Sequence, residues 1–266
     1  MKRKLILPSL TAMQLKWFAA VFMLLDHFSK VFRLQIVSWM GQALSLSEKG
    51  AQFCFLLTFS VGRTAFPLFA FFAAQGVIHT RNRRRYLSRL FLFGLVSEPP
   101  FQLMVCLVRG QALFLRPALT NVLFTLWLGG LACVGYDRWK GRAACLFPLV
   151  FSIVVAHLLG TDYGGVGVLL VFCCYVPGES RHKLWGAATV LVLRYGLLGP
   201  LQTIGAYGGV SLEQTVLQLA FALLSVALLA CYNGRRGNGS GRFFYWFYPL
   251  HMLVLVGCRL LLKIEG

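Results

Sequence analysis

The sequence predicts an all-α protein, a polytopic membrane helix bundle of about nine transmembrane helices, several of them kinked at proline. Three observations predict it. Hydrophobic residues make up 58% of the 266 and charged residues only 13%, whereas a soluble domain carries about 45–50% and about 25%. Apolar stretches of bilayer-crossing length recur along the whole chain. Basic residues cluster in alternate connections between those stretches. The mean hydropathy is +0.71. A soluble core of this size cannot hide so much apolar side chain. An ordinary cytosolic enzyme, a disordered chain and a nucleic-acid binder are excluded on that ground. The net charge of +18 therefore raises the question of where the positive residues sit, and no nucleic-acid partner is expected.

A crossing helix needs about 20 mostly apolar residues. Such stretches are read at 12–33, 53–79, 86–107, 118–136, 143–160, 163–177, 184–203, 212–232 and 243–262. The opening MKRK has the charge of a signal peptide. Lys16, Asp26, His27 and Lys30 interrupt the apolar stretch after it, and no small-residue cleavage site appears, so the segment is kept in the mature protein. The run 50–79 is too long for one simple span. Gly62 and Pro67 make it a kinked helix or a re-entrant piece followed by a helix. No polar segment is long enough for a soluble domain, so residues 1–266 are read as one integral-membrane unit.

The connections alternate in charge. Lys2, Arg3 and Lys4, then Arg81, Arg83, Arg84, Arg85 and Arg89, then Arg138, Lys140 and Arg142, then Arg181 and Lys183, then Arg235, Arg236 and Arg242 hold 16 of the 26 basic residues. The connections 159–163 and 199–213 hold none. The positive-inside rule assigns the rich loops to the cytoplasm. The expectation is a bacterial inner-membrane protein with a cytoplasmic N-terminus and, after an odd number of spans, Gly266 outside. The eight cysteines form no C-x-x-C pair and lie mostly in apolar runs. They read as small hydrophobes, and no metal is expected.

Charged groups inside spans are costly and mark candidate functional sites. Asp26-His27 falls in the outer half of the first span. It is either a general base with its neighbour or an interfacial pair helped by Lys30 and Arg33. Arg63 precedes Pro67, whose missing N–H leaves the Arg63 carbonyl without its helical partner. Arg63 is a cavity residue or the ion partner of Asp26. Glu98 precedes Pro99-Pro100, which are expected to end or kink the third span halfway and to leave Glu98 beside unpaired carbonyls. It is a proton carrier or a partner of Arg63. His251 follows Pro249 near mid-bilayer. Asn121 and Asp162-Tyr163-Gly164-Gly165 face the same side as Asp26, though turn chemistry alone also explains the second. His157 and Arg194 are weaker candidates. On the other side, His79, Arg81, Asn82, Arg83, Arg84 and Arg85 are a topology determinant and could also hold the phosphates of an anionic cofactor.

The P-loop, the G-x-S-x-G elbow and the H-E-x-x-H helix are absent from the sequence. A histidine with no plausible nucleophile next to it, in a bundle with a basic cytoplasmic mouth, suits direct acyl transfer, in which a base deprotonates an acceptor that attacks a bound thioester.

The strings LKWFAAVFMLLDHFSKVF, GRTAFPLFAFFAAQGVIHTRNRRRYLSRLFLFGLVSEPPFQL, TNVLFTLWLGGL, TDYGGVGVLL, CYNGRRG and FYWFYPLHMLVL together resemble the TraX family, from about Leu15 to Leu255. These are bacterial membrane proteins linked to conjugative pili, whose type member N-acetylates the pilin N-terminus. The family is also similar to the transmembrane acyltransferases, in which a histidine of the first helix is the proposed base and acyl-CoA the donor. The resemblance implies catalysis by His27 with Asp26, Glu98 and His251, support from Arg63, Asn121 and Asp162, and donor binding by the loop from His79 to Arg85. It implies acetyl-CoA as donor and a pilin-like amine or an envelope-glycan hydroxyl as acceptor. One departure is Gln75, at a position often acidic in the family. Two other readings stay open. One is a transporter or flippase lined by the kinked helices, and the other is a non-catalytic pilus or envelope assembly factor.

Overall fold

The structure, a computed structural model, describes residues 9–176, 178–207, 209 and 211–262. Lys2, Arg3, Lys4 and Gly266, on which the expected orientation partly rests, lie outside the described residues. Among the described residues, twelve α-helices form a multi-pass bundle with no strand beyond one isolated bridge, Leu10 to Tyr232.

Helix α1 (Ala12–Val31) begins at Thr11, whose hydroxyl accepts from the Gln14 N–H while the Gln14 side chain accepts from the Thr11 N–H. A one-residue break at Phe32 leads into α2 (Arg33–Ala43). The break is nearly seamless, because Phe32 N–H donates to the Phe28 carbonyl and Ile36 N–H to the Phe32 carbonyl. Helix α3 (Glu48–Val61), capped by Ser47, runs through a 3₁₀ turn at Gly62–Thr64 into α4 (Ala65–His79). The 32 residues of the second rod extend about 48 Å, beyond the roughly 30 Å of a hydrocarbon core. The α2–α3 hairpin therefore occupies a region that the hydropathy pattern leaves as a connection.

The helices run on through or past their prolines. Pro67 lies in the first turn of α4, directly after the 3₁₀ turn that carries Arg63. Pro99 and Pro100 do not end their helix. Helix α5 (Arg83–Val108) continues through both, and α12 (Arg242–Leu261) continues through Pro249.

Helices α4, α6 (Val122–Trp139) and α8 (Gly164–Tyr175) pack against one another at the centre. Gly129 and Gly130 make that approach possible, since a Cβ there would run into Val171 of α8 and Leu87 of α5. Helix α1 lies against α3, α4 and α12, and α5 lies against α6 and α12. Helices α7 (Phe147–Leu158), α9 (Ser180–Val192), α10 (Gly199–Tyr207) and α11 (Leu212–Ala230) complete the bundle, with a π turn at Leu193–Leu198 joining α9 to α10. Five helical stretches are long and apolar enough to cross a membrane: Glu48–His79, Arg83–Val108, Ser180–Gly205, Leu212–Ala230 and Arg242–Leu261. Helices α7 and α8 have 12 residues each, about 18 Å, which is shorter than the core. Large apolar side chains such as Trp39, Leu158, Trp185, Leu212 and Leu261 stay exposed, as lipid contact allows.

The bundle has two chemically distinct ends. Arg83 pairs with Asp137 at 2.7 Å, and the Tyr175 hydroxyl donates to Asp137 at 2.5 Å. These contacts bring the α4–α5, α6–α7 and α8–α9 connections together. The α11–α12 connection joins the same end, as Leu10 N–H donates to the Cys231 carbonyl and Ala12 N–H to the Arg235 carbonyl. The described basic connections thus share one end. At the opposite end, Asp162 N–H donates to the Thr120 carbonyl at 2.6 Å.

Candidate functional site

Two adjoining cavities run through the bundle. The larger, about 450 Å³, lies toward the basic end. The smaller, about 50 Å³, lies toward the opposite end and is lined by Asp26, His27, Lys30, Arg63, Asp162 and Tyr163 among others. Met23, Phe69, Val122 and Tyr248 line both, so four side chains form the partition between them.

Asp26 and His27 are buried on α1. Adjacent helical residues point about 100° apart, and their side chains take separate partners. Asp26 pairs with Arg63 through one oxygen and with Lys30 through the other, the latter at 2.6 Å. Lys30 is one helical turn on, at i+4, a spacing the sequence displays. The Arg63 guanidinium also lies over the Phe59 ring, 4.7 Å from its centroid. Gly62 has a steric reason to be glycine, because a Cβ there would overlap the Asp26 side chain. Asp26 thus holds α1 against the turn between α3 and α4.

His27 turns to α12. Its Nδ1 lies 2.6 Å from Nε2 of His251, and the two ring planes are within 3° of parallel. The Nδ1 of His251 lies 2.7 Å from the Phe247 carbonyl oxygen. These contacts fix the tautomers. A carbonyl oxygen only accepts, so His251 Nδ1 carries the hydrogen. In a neutral His251 the Nε2 must then accept, so His27 Nδ1 donates. The remaining nitrogen, Nε2 of His27, keeps its lone pair. It stands 3.9 Å from the nearer Asp26 oxygen, outside hydrogen-bond range. A neutral imidazole with a free Nε2, oriented through its Nδ1–H, has the form of a general base.

Asp162 and Tyr163 close the small cavity from the α7–α8 connection. Thr125 donates to the Asp162 carbonyl, which pins this turn to α6, and Tyr163 stacks on Phe66 with centroids 3.7 Å apart. Tyr163 has a φ of 63°, a left-handed conformation uncommon for a residue with a side chain. The Asp162 carboxylate accepts from the Tyr163 N–H.

Glu98 and Asn121 stand elsewhere. Neither lines either cavity. Glu98 does not meet Arg63. Its carboxylate accepts from the N–H and hydroxyl of Thr120, the N–H and side-chain amide of Asn121, and the amide of Gln102, all between 2.5 and 3.1 Å. Asn121 also donates to the Gly94 carbonyl and caps α6 at Leu123 N–H. The pair fastens α5 to the start of α6. The sequence points to Glu98 through its prolines, but its main partners come from 22 and 23 residues away.

The basic loop divides likewise. His79 lines the large cavity and contacts Gln75 at 3.0 Å. Asn82 caps α5 by accepting from Arg85 N–H, and Arg83 is engaged with Asp137 and the Val77 carbonyl. Arg81, Arg83, Arg84 and Arg85 line neither cavity. Lys16 and Arg236 do line the large one, and neither is among the residues that the sequence singles out as a site. Lys16 sits in the second turn of an apolar helix, a position that could have marked it. His157 and Arg194 line neither cavity.

No solved structure is significantly similar to the chain. Among curated relatives, the probable fimbrial assembly protein FimC, serogroup H1, of Dichelobacter nodosus is 30% identical over 259 residues, covering 95% of this chain and 97% of that protein. Protein TraX of Escherichia coli is 27% identical over 244 residues, covering 91% of this chain and 84% of that protein. The family model described as TraX protein matches residues 11–259. The chain belongs to the TraX family.

Proposed function

We propose that this protein is a membrane acyltransferase of pilus or conjugation systems, moving an acetyl group from acetyl-CoA to an amine or hydroxyl presented at the end opposite the basic loops. The observation that carries this reading is the His27–His251 pair. It leaves one basic nitrogen facing a small chamber that adjoins a cavity of ligand size. The thioester enters from the basic end through the large cavity, and the acceptor enters the small chamber. His27 Nε2 takes the acceptor's proton as its nitrogen or oxygen attacks the thioester carbon. The C–S bond then breaks, and the thiolate of coenzyme A leaves with the proton that the imidazolium returns. Arg63 and Lys30 place positive charge where the oxyanion forms. The relatives' names support a pilus context and, with the family resemblance, a pilin-like acceptor in the inner membrane.

The name of the fimbrial assembly relative also favours a second reading, a non-catalytic assembly factor. Mass spectrometry of pilin and envelope glycans from cells expressing the wild-type or the His27→Ala chain separates the two. Acetyl transfer expects an acetyl mass on one acceptor that disappears in the variant. Acceptors of identical mass, with pili assembled by both chains, would favour the assembly factor.

A further inference from the structure

The larger cavity has an unbalanced electrostatic design. Among the described residues its walls carry no Asp or Glu, and its basic side chains, Lys16, His79 and Arg236, all lie at the basic end. Lys16 projects from the second turn of α1 with its ammonium 5.1 Å from the centre of the Phe72 ring. Among the described residues it makes no ion pair within 4 Å. Arg236 acts on it as a like charge. Arg236 is exposed and Lys16 half-buried, so the mouth of an apolar cavity presents two cations to an entering molecule, with no carboxylate among the described lining residues to neutralise them.

The placement of Arg236 is built in. Backbone hydrogen bonds tie its loop to the first turn of α1, with Ala12 N–H donating to the Arg235 carbonyl at 2.9 Å and Met13 N–H to the Arg236 carbonyl at 3.0 Å. The Asn233 N–H returns a bond to the Leu10 carbonyl at 2.9 Å. These contacts hold the loop against α1, with the Arg236 backbone joined to a residue one turn before Lys16. Beyond the mouth the lining becomes Met23, Phe69, Leu123 and Leu126, ending at the partition with the His27 chamber. The cavity's volume lies within the range of small-molecule sites.

We infer that Lys16 and Arg236 form a phosphate-binding site at the mouth of the larger cavity, for an extended phosphate-bearing molecule whose slender chain runs toward His27. The guanidinium supplies a donor fork and the ammonium a point charge, a combination that suits phosphate oxygens. The inference deepens the acyl-transfer reading and rests on it for one identification, that the phosphate belongs to the pantetheine arm of the donor. It moves the donor's charged group away from the arginines of the α4–α5 loop. A phospholipid headgroup offers the same chemistry, so the test distinguishes the two sources.

The experiment measures binding by calorimetry to the purified protein in phosphatidylcholine nanodiscs, for wild type, Lys16→Gln, Arg236→Gln and Lys16→Arg. The probes are coenzyme A and phosphate-free pantetheine, and a parallel measurement follows retention of phosphatidylglycerol through purification. We expect each Gln variant to weaken coenzyme A about tenfold or more, with pantetheine affinity unchanged and Lys16→Arg close to wild type. Rescue by Arg guards against a folding defect. Coenzyme A affinity equal in wild type and both Gln variants would overturn the site and leave the acyl-transfer reading standing. Phosphatidylglycerol retention that depends on Lys16 and Arg236, without coenzyme A binding, would keep the phosphate site and sink the donor half of that reading. Binding of neither molecule by wild type overturns the inference.

Discussion

The Asp26–His27 chamber and the Glu98–Asn121 junction begin as similar regions. Each centres on a buried carboxylate in an apolar helix, and each reads from the sequence as a candidate site. They differ in what fills the carboxylate's lone pairs. Glu98 is met by five donors from Thr120, Asn121 and Gln102, and it borders neither cavity. Asp26 is met by the charged ends of Arg63 and Lys30, and the histidine beside it turns away to leave one ring nitrogen free in a cavity. Both carboxylates fasten helices; what sets the first region apart is the ring nitrogen left free beside a cavity, and the proposed catalysis rests on that.

The largest effect expected to sharpen this contrast is on stability. Asp26→Asn leaves Arg63 and Lys30 without their counter-charge, and removing one partner of a buried ion pair costs about 3–5 kcal/mol. Glu98→Ala strands several buried N–H groups and should cost a similar amount, on the order of 3 kcal/mol. Thermal unfolding in detergent reads both. The difference lies in Glu98→Gln, which keeps an acceptor oxygen and should lose only about 1–2 kcal/mol with transfer per folded molecule retained. A folded Glu98→Gln chain without transfer would erase the distinction between the two regions.

The next effect is on the base itself. His251→Ala removes the acceptor that fixes the His27 tautomer. Loss of a correctly held tautomer is expected to lower single-turnover transfer by about 10²-fold or more. His251→Gln, whose amide oxygen can accept from His27 Nδ1–H, should recover part of that loss, with a shifted pH–rate profile. Equal activity of Ala and Gln variants would mean that His251 packs against His27 without orienting it.

The smallest effect concerns the basic end. Arg83 and Asp137 are both partly exposed, and such a pair contributes about 0–1 kcal/mol. Arg83→Ala should therefore shift the unfolding temperature little. A large loss of stability would show that the end holding Arg83, Asp137 and Tyr175 is a structural junction comparable to Glu98.

The fold was legible wherever hydropathy decides it. The helix bundle, the irregular turn at Gly62 inside the long run 50–79 and the Asp26–Arg63 pairing all follow from composition, spacing and charge. Helix α2 and the start of α3 escaped because Arg33–Ala43 and Glu48–Val61 begin with polar residues that resemble a connection. The chamber was half legible. His27 and His251 stood out as polar groups in apolar helices, but their contact joins residues 224 apart, and no local pattern encodes it. Lys16 and Arg236 were hidden for a different reason. In a chain with 26 basic residues, two that line a cavity look like the others until the walls are assembled.

The most direct test of the account is single-turnover acetyl transfer by purified wild-type, His27→Ala and Glu98→Gln proteins, each saturated with acetyl-CoA and corrected for the folded fraction. General base catalysis contributes about 10²–10⁴-fold. The account predicts that His27→Ala loses activity on that scale while its acetyl-CoA affinity stays near wild type, and that Glu98→Gln keeps its rate. Wild-type transfer by His27→Ala, beside a folded but inactive Glu98→Gln, would contradict it.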